Sequence, residues 1–181
     1  MKAVVFLADG FEECEALIVV DILRRAGIET VTASIMGRLE VDSSRHIRVM
    51  ADTLAEDVDF GPVDQIVLPG GKLGTENLSK NGIVKEQCRI FAQTKYLAAI
   101  CAAPSVPAGL GLLEGRKATC HPDFRSKMAG AVYLDKGVVV DGNVITGQGL
   151  GVTFAFAFEI VKMLVGEETV RKIKEAICWR E

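Results

Sequence analysis

The chain has 181 residues, of which 49% are apolar and 25% charged, with a net charge of −3. That size and balance suit one globular domain spanning 1–181 with a single core. Nothing in the charge advertises a nucleic-acid partner, and no apolar run approaches the roughly 18–20 residues of a membrane span.

Residues 2–8 (KAVVFLA) read as a first strand rather than a signal peptide, because the apolar run ends at Asp9 with no small-residue cleavage site. The cytoplasm is therefore the expected compartment. Residues 12–26 follow as a helix, closed by Arg24, Arg25 and Gly27 as helix C-termini prefer. Its stretch from Ala16 to Ala26 is apolar almost all round and must be covered on more than one side. A second copy of the chain in a homodimer or the chain's own loops could supply that cover.

Residues 28–35 form a strand, and 39–52 a hairpin. Val63–Leu68 is a short strand running into Pro69-Gly70-Gly71. Residues 81–94 carry the helical stripe Ile83, Val84, Cys88, Ile90 and Phe91. Leu97–Ile100 is a strand, 102–112 a helix, and 118–120 a short extended piece. Residues 131–146 hold two β-rich runs about the hairpin signal Asp141-Gly142-Asn143. Helices over about 152–165 and 167–177 close the chain. Alternating strands and helices predict an α/β fold, a mostly parallel sheet with helices on both faces.

The five cysteines, an odd number with no C-x-x-C pair, argue against both a disulfide framework and a structural zinc site. In open α/β sheets ligands bind beyond the carboxyl ends of strands. That rule selects Asp9–Glu15, Pro69–Lys72, Cys101–Ala103 and Cys120–Pro122.

Cys101 sits where a strand passes to a helix, with Ala102 and Ala103 small enough for a tight turn. A helix start favours a thiolate, and the arrangement resembles a nucleophile elbow with cysteine as nucleophile. These features favour a reactive thiol over a buried structural cysteine. Only His46 and His121 could serve as its base, and His121 has the better rim position. Glu12, Glu13 and Glu15 open a helix, where carboxylates are expected from the dipole alone. One of them, held protonated, could instead bond the sulfur. The amides of Gly70, Gly71 and Ala102 could form an oxyanion hole. Gly147-Gln148-Gly149-Leu150-Gly151 lacks the spacing of a dinucleotide loop, no Walker sequence occurs, and adjacent Cys120 and His121 point apart on an extended segment. No cofactor and no metal are expected.

The stretches LADGFEECEALIVVDILRRAGI, IVLPGGKLG, AAICAAPSVPAG and CHPDFRSKM together resemble the ThiJ/PfpI superfamily, in order and over essentially the whole chain. The resemblance is to the branch of bacterial ThiJ-type proteins and the human Parkinson-linked deglycase. It implies a flavodoxin-like, class I glutamine-amidotransferase-like sandwich, usually a homodimer, here through helix 12–26. It further implies Cys101 as the nucleophilic, easily oxidised cysteine, Glu15 as its protonated partner, His121 as the neighbouring histidine, and Gly71 and Ala102 as oxyanion donors. Arg45 and Arg25 match basic residues at the pocket mouth. The chain departs from the family at Leu150, where relatives often carry proline, and at Met50, where some carry cysteine. Cys14 and Cys120 are extra thiols beside Glu15 and His121.

Three activities are compatible with these residues. One is a cofactor-free enzyme of glyoxalase or deglycase type, acting on small carbonyl compounds or glycated adducts. Another is an oxidative-stress redox sensor or chaperone using Cys101. The third is a cysteine hydrolase or peptidase; a link to thiamine biosynthesis exists in name only.

Overall fold

Side chains along the first strand alternate between two cores, and that alternation sets the layering. In the computed structural model, which describes residues 1–180, Ala3, Val5 and Leu7 face one apolar cluster while Val4 and Phe6 face the other. Both faces of the sheet are therefore buried, as parallel sheets require.

The elements in chain order are β1 (Lys2–Leu7), α1 (Glu13–Arg25), β2 (Glu29–Ser34), β3 (Glu40–Asp42), β4 (Arg48–Met50), β5 (Thr53–Leu54), β6 (Gln65–Leu68), α2 (Lys72–Lys80), α3 (Gly82–Thr94) and β7 (Tyr96–Ile100). There follow α4 (Ser105–Gly109), β8 (Lys117–Ala118), β9 (Val132–Tyr133), β10 (Val138–Asp141), β11 (Val144–Gly147), α5 (Thr153–Val165) and α6 (Glu167–Ala176). Seven strands form the main sheet in the order β10-β11-β7-β6-β1-β2-β5. All neighbours run parallel except the β10/β11 hairpin. The chain is a flavodoxin-like α/β fold, with α1, α5 and α6 over one face and α3 and α4 over the other.

From β1 the chain steps to β2 on one side, then returns to β6 on the other. The crevice between β1 and β6 is thus the topological switch point, where such sheets bind ligands. The β3/β4 hairpin lies outside the main sheet and docks on the β1–α1 turn, with Gly10 N–H donating to the Asp42 carbonyl (2.7 Å) and Ser44 N–H to that of Phe11 (2.7 Å).

The structure corrects one expected helix, adds another, and shows what covers most of α1. The helix expected over 102–112 covers only Ser105–Gly109, because residues 101–104 form a turn and a second run of turns follows from Leu110. Residues 72–80, not read as a helix, form α2. The cover for α1 comes from the chain itself: its Ala16, Val19, Val20, Ile22 and Leu23 share a core with Phe156, Ile160 and Val161 of α5.

Candidate active site

Cys101 follows β7 directly and holds a left-handed backbone, φ 65°, a conformation that costs a non-glycine residue about 1–3 kcal/mol. Neighbouring segments enforce it. Its N–H donates to the Gly147 carbonyl (2.9 Å), and its carbonyl accepts from His121 N–H (2.8 Å). The side chain is half-buried.

Glu15, one turn into α1, is fully buried beside it. Its Oε2 accepts from Gly70 N–H (2.9 Å), and Glu12 N–H returns a bond to the Gly70 carbonyl (3.0 Å). Glu15 Oε1 is buried with no hydrogen-bond partner, and the carboxyl interacts with the Cys101 side chain. A buried carboxyl oxygen with nothing donating to it is the oxygen suited to carry a proton and donate to sulfur. Burial, reinforced by the charge of Glu12, pushes the Glu15 carboxyl up to about 7. The sequence left three glutamates open, and the structure separates them. Glu12 caps α1 by accepting from Glu15 N–H (2.8 Å), while Glu13 is buried and accepts from Ser44 Oγ (3.3 Å). Hydrogen bonds from Ser43, Ser44 and the Arg45 backbone outweigh that burial and leave Glu13 below the usual carboxylate range.

Burial, then the nearby Glu15 charge and hydrogen bond, push the Cys101 thiol up to about 12, opposed by the amides of Gly71 and Ala102. The five-residue α4 begins only at Ser105, so no long helix dipole reaches the sulfur. Glu15 raises the thiol while the bond to Cys101 lowers the Glu15 carboxyl, so the two titrate as a coupled pair that keeps at least one proton through neutrality.

The amides of Gly71 and Ala102 both bond the sulfur. Gly70 is not a donor there, since its N–H is held by Glu15. Neither glycine tolerates a side chain. A Cβ on Gly70 would stand 2.4 Å from Glu15 Oε2 and 2.5 Å from Cys101 Cβ, and one on Gly71, φ 88°, would stand 2.2 Å from the Gly10 carbonyl oxygen.

Two cavities meet over Cys101 and share Glu12 and Arg45 as walls. The first, about 540 Å³, adds Glu15, His121, Pro122 and the segment from Gln148 to Val152. The second, about 580 Å³, adds Asp9, Asp42, His46, Gly71, Lys72 and Leu73 among others. His121 lines the first, its Nδ1 accepting from Asp123 N–H (3.3 Å), which puts the proton of the neutral ring on Nε2. Cys120 is buried in the core and donates to the His121 carbonyl (3.3 Å). Arg25 is not brought here: it pairs with Asp21 (2.6 Å) in the last turn of α1 and lines neither cavity.

The strand-end rule selected Lys72 together with Pro69–Gly71, but it was not applied to the wall from Gln148 to Val152. That rule also covers residues after β11, a stretch read by itself as a poor nucleotide loop and marked by resemblance only through the departure at Leu150.

The sequence profile of the DJ-1/PfpI family matches residues 1–163. The chain belongs to the DJ-1/PfpI family. It is 40% identical to a Parkinson disease protein 7 homolog of Danio rerio, over 99% of this chain and 98% of the relative. It is also 32% identical to a glutathione-independent glyoxalase of Caenorhabditis elegans, over 92% and 90% of the two chains. The crystal structure of Drosophila melanogaster DJ-1beta superposes with a TM-score of 0.95 at 36% identity, covering 99% of this chain and 98% of the other. Among the described residues no helix is long and apolar enough to cross a membrane.

Proposed function

We propose that the protein is a cysteine-dependent enzyme for small reactive carbonyl compounds, 2-oxoaldehydes such as methylglyoxal and the adducts they form on amines. The observation that carries this reading is the surroundings of the Cys101 sulfur: one carboxyl able to give and take a proton, and two amides aimed at the same point. The similarity to the nematode glyoxalase supports it independently.

The pair reacts in the form that shares one proton, a Cys101 thiolate beside a protonated Glu15: the sulfur attacks the aldehyde carbon, and the carbonyl oxygen takes that proton from Glu15 to give a hemithioacetal. Glu15, now a carboxylate, removes the proton from that carbon. The resulting enediol is reprotonated at the neighbouring carbon, leaving a thioester of a 2-hydroxy acid. Water cleaves the thioester and restores the thiol. The aldehyde carbon is oxidised and its neighbour reduced, so the net change is addition of one water. Amides of Gly71 and Ala102 steady the oxygen as charge builds on it. His121, on the cavity wall, serves to position water or pass a proton.

A second reading is favoured by the same donors. Two amides and a protonated carboxyl would also hold a sulfinate, formed at Cys101 by two oxygen transfers from peroxide, each releasing water. A twofold homodimer through α1 belongs to the proposal, its outward positions being Cys14, Leu17, Asp21 and Arg24.

The test is consumption of methylglyoxal without glutathione. Cys101→Ala abolishes it, and Glu15→Gln, which keeps a donor but loses the base, lowers kcat by about 100-fold or more. A wild-type rate no greater than that of Cys101→Ala sinks the enzyme reading. Selective gain of two oxygens at Cys101 under peroxide would then leave the redox reading standing.

A further inference from the structure

The two cavities that meet over Cys101 differ in chemistry, and the difference sorts substrates. A hemithioacetal carbon on the sulfur directs its oxygen toward the amides and Glu15, so its acyl substituent must enter one cavity or the other. Glu12 and Arg45 wall both; the second adds the charges of Asp9, Asp42 and Lys72, with Leu73 as its one large apolar side chain. An apolar substituent there would strip water from these groups, with Leu73 alone to cover it. Beside Glu15, His121 and Gln148, the first adds three apolar side chains, Pro122, Leu150 and Val152, with Gly149 and Gly151 among them.

Leu150 is 50% exposed, so it has apolar surface left to cover. Its segment is nonetheless held in place. Gln148 N–H donates to the Gly137 carbonyl (2.8 Å), Gln148 Nε2 to Asp135 (2.8 Å), Val152 N–H to the Gly149 carbonyl (3.0 Å), and the buried Thr153 hydroxyl to the carbonyl of Leu150 itself (2.8 Å). The glycines on either side add no side chain, so the wall at this point depends on Leu150. Methylglyoxal has only five heavy atoms, and a cavity of about 540 Å³ leaves most of this wall bare when it binds.

We infer that Leu150 is a specificity-determining residue, and that the preferred substrates are 2-oxoaldehydes with an aryl or branched-alkyl substituent lying against it. This rests on the carbonyl-enzyme reading above and adds the class of substituent. Removing the Leu150 side chain withdraws an apolar surface that only larger substituents reach, a difference worth about tenfold in kcat/KM.

Initial rates with methylglyoxal, 4-methyl-2-oxopentanal and phenylglyoxal are compared for wild type, Leu150→Ser and Leu150→Phe. Leu150 is exposed, so neither substitution endangers the fold. Wild type is expected to favour the two larger substrates by about tenfold in kcat/KM. Leu150→Ser loses that preference through KM, the fall being several-fold larger for the two bigger substrates than for methylglyoxal, and Leu150→Phe keeps it. Equal loss for all three substrates in Leu150→Ser, or wild-type rates indifferent to the substituent, overturns the inference and leaves the carbonyl reading intact. Absence of any Cys101-dependent turnover overturns both.

Discussion

Glu15 is where sequence, burial and chemistry meet at one side chain, and it leaves a signature in stability. Its carboxyl is raised from 4.5 to about 7 by burial, which corresponds to about 3 kcal/mol. Between those values the folded chain holds a proton that the unfolded chain has released. The contribution is therefore fully present below pH 4.5 and is lost as pH rises through about 7. Urea unfolding of wild type and Glu15→Gln from pH 4.5 to 8 should show the variant gaining on wild type as pH rises, by up to about 3 kcal/mol. A constant difference across that range would mean Glu15 is not held protonated. Gly70 offers a second check. Gly70→Ala drives a methyl between Glu15 Oε2 and Cys101 Cβ, with the Ile100 carbonyl 3.0 Å away on backbone that cannot yield. Overpacking of this kind costs about 1–3 kcal/mol. Methylglyoxal turnover should fall far more than stability does, because the displaced atoms are the reacting ones.

At the scale of elements, the sequence was most legible where period and punctuation agreed. β1, β6 and β7 are continuous apolar runs ended by Asp9, Pro69 and Cys101, and the strand ends placed the site before any contact was known. Helix α3 was legible for the same reason, although its buried face includes Gln87 and leaves Ile90 exposed. Reasoning failed where tertiary geometry decides. The turn after Cys101 is imposed by Gly147 and His121 holding its backbone, a constraint from distant segments that invited the reading of a helix start. Glycines at 70, 71 and 74 disguised α2. Gly74 is there for clearance, since a Cβ would stand 2.7 Å from the backbone of Phe11. Arg25 was nominated by resemblance, and its own helix carries it to the far end from Glu15. An element away from the site gives a control. The Asn81 side chain caps α3 by accepting from Val84 N–H (3.1 Å). Asn81→Ala should cost about 1 kcal/mol and lower Tm by about 2–4 °C, with kcat/KM for methylglyoxal unchanged. Lost activity there would tie α3 to the site in a way the geometry does not support.

For the whole molecule, the open question of α1 was which body covers it. Sheet and α5 bury most of its apolar residues, so apolarity all round does not by itself require a second subunit. What remains outward is smaller and more specific. Leu17 is 37% exposed, one turn beyond Glu13, and the hairpin docked on the start of α1 leaves Ile47 50% and Met50 62% exposed. Large apolar side chains on joined segments are the kind of surface a twofold interface covers. The same hairpin carries the Ser43-Ser44-Arg45 turn, anchored through Ser44 to Phe11 and Glu13, so pairing there would also fix Arg45 over Cys101. Light scattering should give twice the chain mass at tens of micromolar. Leu17→Asp and Met50→Asp should each lower it toward the single chain, because a charge at the centre of an apolar contact is left without a partner. Both positions are exposed in the single chain, so circular dichroism of the variants should match wild type. A wild-type protein already monomeric at that concentration, or variants that stay dimeric, would place the interface elsewhere and leave the α1 surface as ordinary exposed leucine and methionine.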